Sequence, residues 1–172
     1  MHLESRKIII RQFNSSDLPD LSILLSSDYV AKWMPGWFKS SGTVDDWLLA
    51  TIDSYYDDDG LEKDASYAVV EKESEALIGR ADFIIHDDDL IEIAIVLKPN
   101  YIEKGHLTES YKMLIEYLKD KHKDKQIEII SNAENILETK AIEKLGAFSI
   151  KTNRIEETKT FNHYTAQRGT PL

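Results

Sequence analysis

The chain has 172 residues, and 21 Lys and Arg against 31 Asp and Glu leave a formal charge of −10. The length suits one globular domain, and a hydrophobic fraction of 42% supplies a core and argues against disorder. Cysteine is absent, which excludes disulfides, cysteine nucleophiles and thiolate zinc sites, while the acidic balance is the wrong footprint for sequence-independent nucleic-acid binding.

The first thirteen residues hold only three consecutive apolar positions, Ile8 to Ile10, between Lys7 and Arg11. That is too little for a secretory apolar region. Ile91–Leu97, interrupted by Glu92, is far short of the ~20 residues of a spanning helix. A cytoplasmic protein without membrane contact is expected.

Lys7–Phe13, with its isoleucine run, reads as a first strand. Asn14 to Asp17 supply helix caps, and Leu18, Leu21, Leu24 and Leu25 follow at helical spacing. Tyr29–Phe38 is an aromatic loop broken by Pro35 and Gly36. Thr43 opens a second helix with Asp45 and Asp46 in its first turn and Trp47, Leu48, Ile52 and Tyr55 on its apolar face. Ser66–Glu71, Ala76–His86 and Leu90–Leu97 read as three antiparallel strands. Leu107, Tyr111, Leu114, Ile115 and Leu118 form a helical stripe. Gln126–Ser131 is a strand, and Asn135–Leu145 is a helix capped by Gly146. Phe148–Asn153 and Lys159–Gln167 are the last strand candidates.

The order is β-α-α-β-β-β-α-β-α-β-β. Ile91–Leu97, Thr108–Asp120 and Ile127–Ser131 make a βαβ unit with parallel strands, whereas the preceding run is antiparallel. The expected fold is therefore α/β (α+β): one domain over residues 1–172, with a mixed, mostly antiparallel twisted sheet of about seven strands and about four helices on both faces.

The strand ending at Lys98–Pro99 leads through a short loop into a helix. The first N–H groups of that helix lack internal partners and, with the helix dipole, suit a pyrophosphate. Gly105 permits close backbone approach, Lys104 adds charge and Thr108 a hydroxyl. Of the five histidines, none sets up a metal pattern.

Four segments carry a resemblance to a known family: IIIRQFNSSDLPDLSILLSS, YAVVEKESEALIGRADF, EIAIVLKPNYIEKGHLTESYKMLIEYL and NAENILETKAIEKLGAF. In this order they resemble the GNAT superfamily of acyl-CoA-dependent N-acyltransferases, in the branch of the ribosomal-protein N-terminal acetyltransferases. The likeness covers nearly the whole chain. It implies acetyl-CoA as co-substrate, no metal, and direct attack of a primary amine on the thioester. It places Ile95, Val96 and Leu97 on a splayed or bulged strand that pairs with pantetheine, with N–H groups near Val96 as oxyanion donors. Lys104, Gly105, His106, Leu107 and Thr108 fall at the phosphate loop, and Asn135 at the second cofactor segment. Glu92 matches a glutamate suited to act as general base, its pKa raised if buried. Trp33, Met34 and Trp37 fall in the loop over the acceptor. The acidic surplus, including Asp57–Asp59 and Asp87–Asp89, favours a cationic small-molecule or peptide amine, taken by a monomer or homodimer.

Ile102 stands at the Arg/Gln position of the family's phosphate loop, and three further positions depart from the pattern. Glu103 replaces a glycine, Leu107 a Gly/Ala, and Glu138 a serine. A leucine at 107 is expected to crowd a phosphate, and Leu107→Gly to improve cofactor affinity. The three departures motivate the alternative of a catalytically degenerate GNAT-fold binding or regulatory module. No tyrosine stands at the position of the acid that protonates the departing thiolate in some relatives, because Ile142 occupies it.

Overall fold

The computed structural model describes residues 1–34, 42–55, 64–146, 148–156 and 159–166. Trp37, Pro35, Gly36, Phe38, the triplet Asp57–Asp59 and Gln167 lie outside these residues.

Among the described residues eight strands form one sheet: β1 (His2–Glu4), β2 (Ile8–Arg11), β3 (Asp64–Glu71), β4 (Leu77–Ile85), β5 (Leu90–Leu97), β6 (Gln126–Asn132), β7 (Phe148–Glu156) and β8 (Lys159–Ala166). Their spatial order is β1-β2-β3-β4-β5-β6-β8-β7. Every neighbouring pair is antiparallel except β5 with β6, so the sheet is mixed and mostly antiparallel. The strand beyond the expected seven is β1, a three-residue edge paired to β2 through Leu3 and Ile10.

Six helices are present among the described residues: α1 (Leu18–Leu25), α2 (Asp28–Trp33), α3 (Val44–Ser54), α4 (Pro99–Ile102), α5 (His106–Lys121) and α6 (Ile136–Glu143). The expected four correspond to α1, α3, α5 and α6. The two extra helices are short: α2 begins on a Ser27 cap, and α4 on Pro99, whose fixed φ suits a first helical position. Thr43 and Asp46 form a capping box at α3, and Asp46 is held below its ordinary pKa by hydrogen bonds from Thr43.

Alternation along the strands separates two cores. Ile91, Ile93, Ile95 and Leu97 of β5 face Leu107, Tyr111, Leu114, Ile115 and Leu118 of α5. Val96 joins Leu21, Leu24, Val30 and Leu48 of α1 to α3 on the other side. Helices thus cover both faces. Gly79 on β4 is required by space, since a Cβ there would collide with the Val96 carbonyl and the Leu97 side chain. Among the described residues no helix is long and apolar enough to cross a membrane, and no group of three or more acidic or histidine side chains is placed to hold a metal.

Candidate active site

The parallel pairing of β5 with β6 runs only from Leu90↔Gln126 to Ile93↔Ile129. Both strands continue, to Leu97 and Asn132, so they part beyond Ile93. β5 keeps an unbroken register with β4 from Gly79↔Leu97 to Ile85↔Ile91. The strand is therefore splayed but not bulged; the register shifts lie elsewhere, between Val69 and Val70 against β4 and between Ile150 and Thr152 against β8.

The direction of the amides follows from this register. Lys98 N–H bonds the Ile78 carbonyl on the β4 side at 2.8 Å. Successive amides point to opposite edges of a strand, so Val96 also faces β4, and Ile95 and Leu97 face the opening. The oxyanion donors expected near Val96 are for that reason its two neighbours, not Val96 itself.

At the open end of the splay α5 begins. Gly105 has φ +85, a left-handed conformation that favours glycine. A Cβ there would meet nothing within 4 Å, so backbone conformation, not a close approach, accounts for this glycine. Lys104 and Glu103 are exposed, and the Lys104 ammonium lies 5.0 Å from the Tyr101 ring centroid. Arg6 and Lys7 line the same cleft as Lys104 and His106, together with Glu71 and Glu73. Neither cation is singled out by the sequence, where Lys7 stands only as the first residue of a strand. His106 is buried against the Tyr101 ring, with Nε2 3.8 Å from Glu71.

Two loop residues are turned elsewhere. Leu107 is 1% exposed and sits in the α5 core, so its side chain does not crowd the loop. Thr108 donates to the Ala141 carbonyl at 3.1 Å and ties α5 to α6. Asn135 is buried and caps α6; its Oδ1 accepts from Tyr29 at 3.2 Å and its Nδ2 donates to Glu138 at 3.1 Å.

On the opposite face of the sheet lies a cavity of about 540 Å³ between α3 and strands β3 to β5. Trp47 and Thr51 of α3, Arg80 and Asp82 of β4, and Glu92 and Ala94 of β5 contribute to its wall. The Arg80 guanidinium pairs with Asp82 at 2.7 Å and lies 4.4 Å from the Trp47 ring centroid. Glu92 is not buried: its side chain is 33% exposed and stands 3.4 Å from His86 Nε2. The burial expected of a base in an apolar strand is therefore absent. What the cavity offers Glu92 is reach.

The acceptor-side aromatics divide differently from expectation. Trp33 ends α2 with the Lys32 ammonium 4.3 Å over its ring, and Met34 packs on the α1–α3 core; neither lines the cavity. Among the described residues its aromatic wall is Trp47 with Phe83. Trp47 was legible only as an apolar helix residue. The Arg–x–Asp spacing of Arg80 and Asp82 on one strand face was the available signal for the pair. Asp87–Asp89 form an exposed turn away from the cavity wall.

A family model described as acetyltransferase (GNAT) domain matches residues 7–147. A sequence search of curated proteins gives no match. Among solved structures, an acetyltransferase (GNAT family) from Bacillus anthracis is 18% identical, with TM-score 0.77 and 98% of each chain covered. The ribosomal-protein-S5-alanine acetyltransferase from Vibrio fischeri is 14% identical, with TM-score 0.81, covering 100% of this chain and 99% of that one. Spermidine N-acetyltransferase from Vibrio cholerae in complex with CoA and spermine is 16% identical, with TM-score 0.74, covering 95% and 97%. At these identities the likeness is one of fold.

Proposed function

Because the chain belongs to the acetyltransferase (GNAT) family, we propose that it transfers an acetyl group from acetyl-CoA to a cationic primary amine by direct attack on the thioester. The observation that carries this reading is the parting of β5 from β6 beyond Ile93, with a carboxylate-bearing cavity on the other side of the same strand. An extended amide chain fits the splay, because the Ile95 and Leu97 amides face it. The phosphates would lie at the start of α5, near Lys104, Gly105 and His106, with Arg6 and Lys7 adding positive charge in a molecule of net charge −10. The amide nearest the reacting carbonyl would stabilise the oxyanion.

The acceptor would enter the cavity beside α3. Arg80 is already paired with Asp82, so Glu92 is the carboxylate left to meet an arriving ammonium. It would take the proton directly or through water before attack. The rest of the work is alignment of two bound reactants. A small polyamine and a protein N-terminus both satisfy the charge.

Calorimetry with acetyl-CoA, followed by mass spectrometry of spermidine and of a peptide with a free N-terminus, tests the reading. Binding with transfer of one acetyl group supports it. Binding without transfer to any amine favours the degenerate module, which the occupied Thr108 hydroxyl and the buried Glu138 also suit. No binding at millimolar acetyl-CoA removes the transfer reading and leaves the degenerate module.

A further inference from the structure

Beside the acceptor cavity the same face of the sheet carries a second pocket, of about 240 Å³. Asp88 and Asp89 of the β4–β5 turn, Leu90 of β5, Gln126 and Glu128 of β6 and Thr165 of β8 line it. Glu92 is the register partner of Glu128 on the parallel strand, and Glu128 that of Thr165 on the antiparallel one. Register partners project from one face, and neighbouring strands lie about 4.8 Å apart. Glu92 on the wall of the first cavity therefore stands next to Glu128 on the wall of the second.

The second pocket is charged and carries an unused hydroxyl. Thr165 is 2% exposed, and its Oγ1 has no hydrogen-bond partner among the described residues. Lys125 stands 3.4 Å from Asp89, and His163 Nδ1 stands 3.2 Å from Glu128. The imidazole cancels the Glu128 charge only when protonated, so Asp88, Asp89 and Glu128 face one permanent cation, Lys125. Apolar surface lies between the carboxylates. Ile84 of β4, 41% exposed, is the register partner of Glu92 and lines the first cavity, while Leu90 lines the second. Ala94, next to the splay, and Leu90 lie about 13 Å apart along an extended strand.

We propose that this pocket is a second ammonium subsite for the acceptor, which makes the acceptor a linear aliphatic polyamine. The inference deepens the acetyl-transfer reading above and rests on it. The reacting nitrogen lies in the first cavity near Glu92. Methylenes run over Ile84 and Leu90. A distal ammonium is held by Glu128 and Asp88 and donates to the Thr165 hydroxyl. A monoamine leaves the second pocket unfilled. A peptide would lay its backbone amides over Ile84 and Leu90, where apolar surface offers them no partners.

Steady-state acetylation by the full chain, with acetyl-CoA and spermidine, hexylamine or a peptide with a free N-terminus, tests this. Spermidine should exceed hexylamine in kcat/KM about tenfold or more, the equivalent of one charge-assisted hydrogen bond. The advantage should lie in KM. Glu128→Gln should reduce it to within about threefold, since a neutral amide no longer attracts the distal charge. Asp88→Asn, on an exposed turn, should act in the same direction and serves where the Gln variant does not fold. Equal use of hexylamine and spermidine by the wild type, an unchanged preference in the folded variants, or acetylation of the peptide alone overturns this inference and leaves the parent reading standing. Failure of acetyl-CoA to bind, or of all three probes to be acetylated, overturns the parent reading and this inference with it.

Discussion

Arg80 Nε donates to Asp82 Oδ1 at 2.8 Å across two residues of β4, under the Trp47 ring. The pair is nearly buried, with side-chain exposures of 9% and 14%, and forms part of the cavity wall. Asp82 thus cancels a cation that would otherwise repel an arriving ammonium. Asp82→Asn should raise KM for a cationic acceptor about tenfold or more, with a smaller effect on KM for acetyl-CoA. Removing the buried partner charge should also cost about 2 to 4 kcal/mol in urea unfolding, and Arg80→Met with Asp82→Leu should recover part of it.

Burial raises the pKa of Glu138, and the shift has a definite sign in stability. The unfolded chain gives up this proton at the ordinary carboxyl value and the folded chain only at a higher one. The contribution is complete below the unfolded value and is lost as pH rises through the folded one. Urea midpoints measured from acidic to alkaline pH should fall more steeply for the wild type than for Glu138→Gln. Parallel curves would refute the buried neutral acid.

Two glycines should respond differently to alanine. At Gly79 the added Cβ meets the Val96 carbonyl and the Leu97 backbone, so Gly79→Ala should force β4 from β5 and cost several kcal/mol. At Gly105 there is space but φ is +85, so Gly105→Ala should cost only about 1 to 2 kcal/mol. Thermal unfolding of the two variants gives the ranking.

Leu107→Gly, attractive on the family pattern as a repair of the phosphate loop, should instead empty a core site. About 2 to 5 kcal/mol of stability should be lost, with no gain in acetyl-CoA affinity at temperatures where the variant is folded. Tighter binding by calorimetry would show that the leucine does obstruct the loop.

Salt should act oppositely on the two ligands' surroundings. A cationic acceptor meets a chain of net charge −10, and its affinity should fall as ionic strength rises. Acetyl-CoA meets the same acidic field through a local patch containing Arg6, Lys7 and Lys104, so its affinity should change less. Titrations at low and high salt separate the two.

The fold was largely legible because its elements carry local signals. The leucine spacing of α1, the Thr43 cap of α3, the α5 stripe and the alternation of β3 to β5 each depend on neighbours in sequence. β1 and the insertion of β8 between β6 and β7 depend on distant partners and leave no local trace. Of the residues singled out for the site, Glu92 lines the cavity and Asn135 is the buried cap of α6. Leu107 and Thr108 fall in the first turn of α5, yet their side chains are claimed by the core and by α6. Trp33 and Met34 lie off the cavity that Trp47 lines, since an aromatic loop and an aromatic helix position look alike before packing is known. Glu138 read as a defect in a pattern; its buried bonds to Tyr111 of α5, Ser131 of β6 and the Asn135 cap depend on packing.

The placement of β8 also orders the events of biosynthesis. Glu128–Asn132 of β6 pairs with Phe161–Thr165, so one wall of the splay stays an open edge until residues almost thirty positions later have left the ribosome. During that interval a strand rich in isoleucine presents unsatisfied amides to any other chain. A nascent molecule halted near Gly146 would hold most of its cofactor-side residues yet remain prone to self-association. Co-expression with a separately supplied Phe148–Ala166 hairpin should then rescue its solubility.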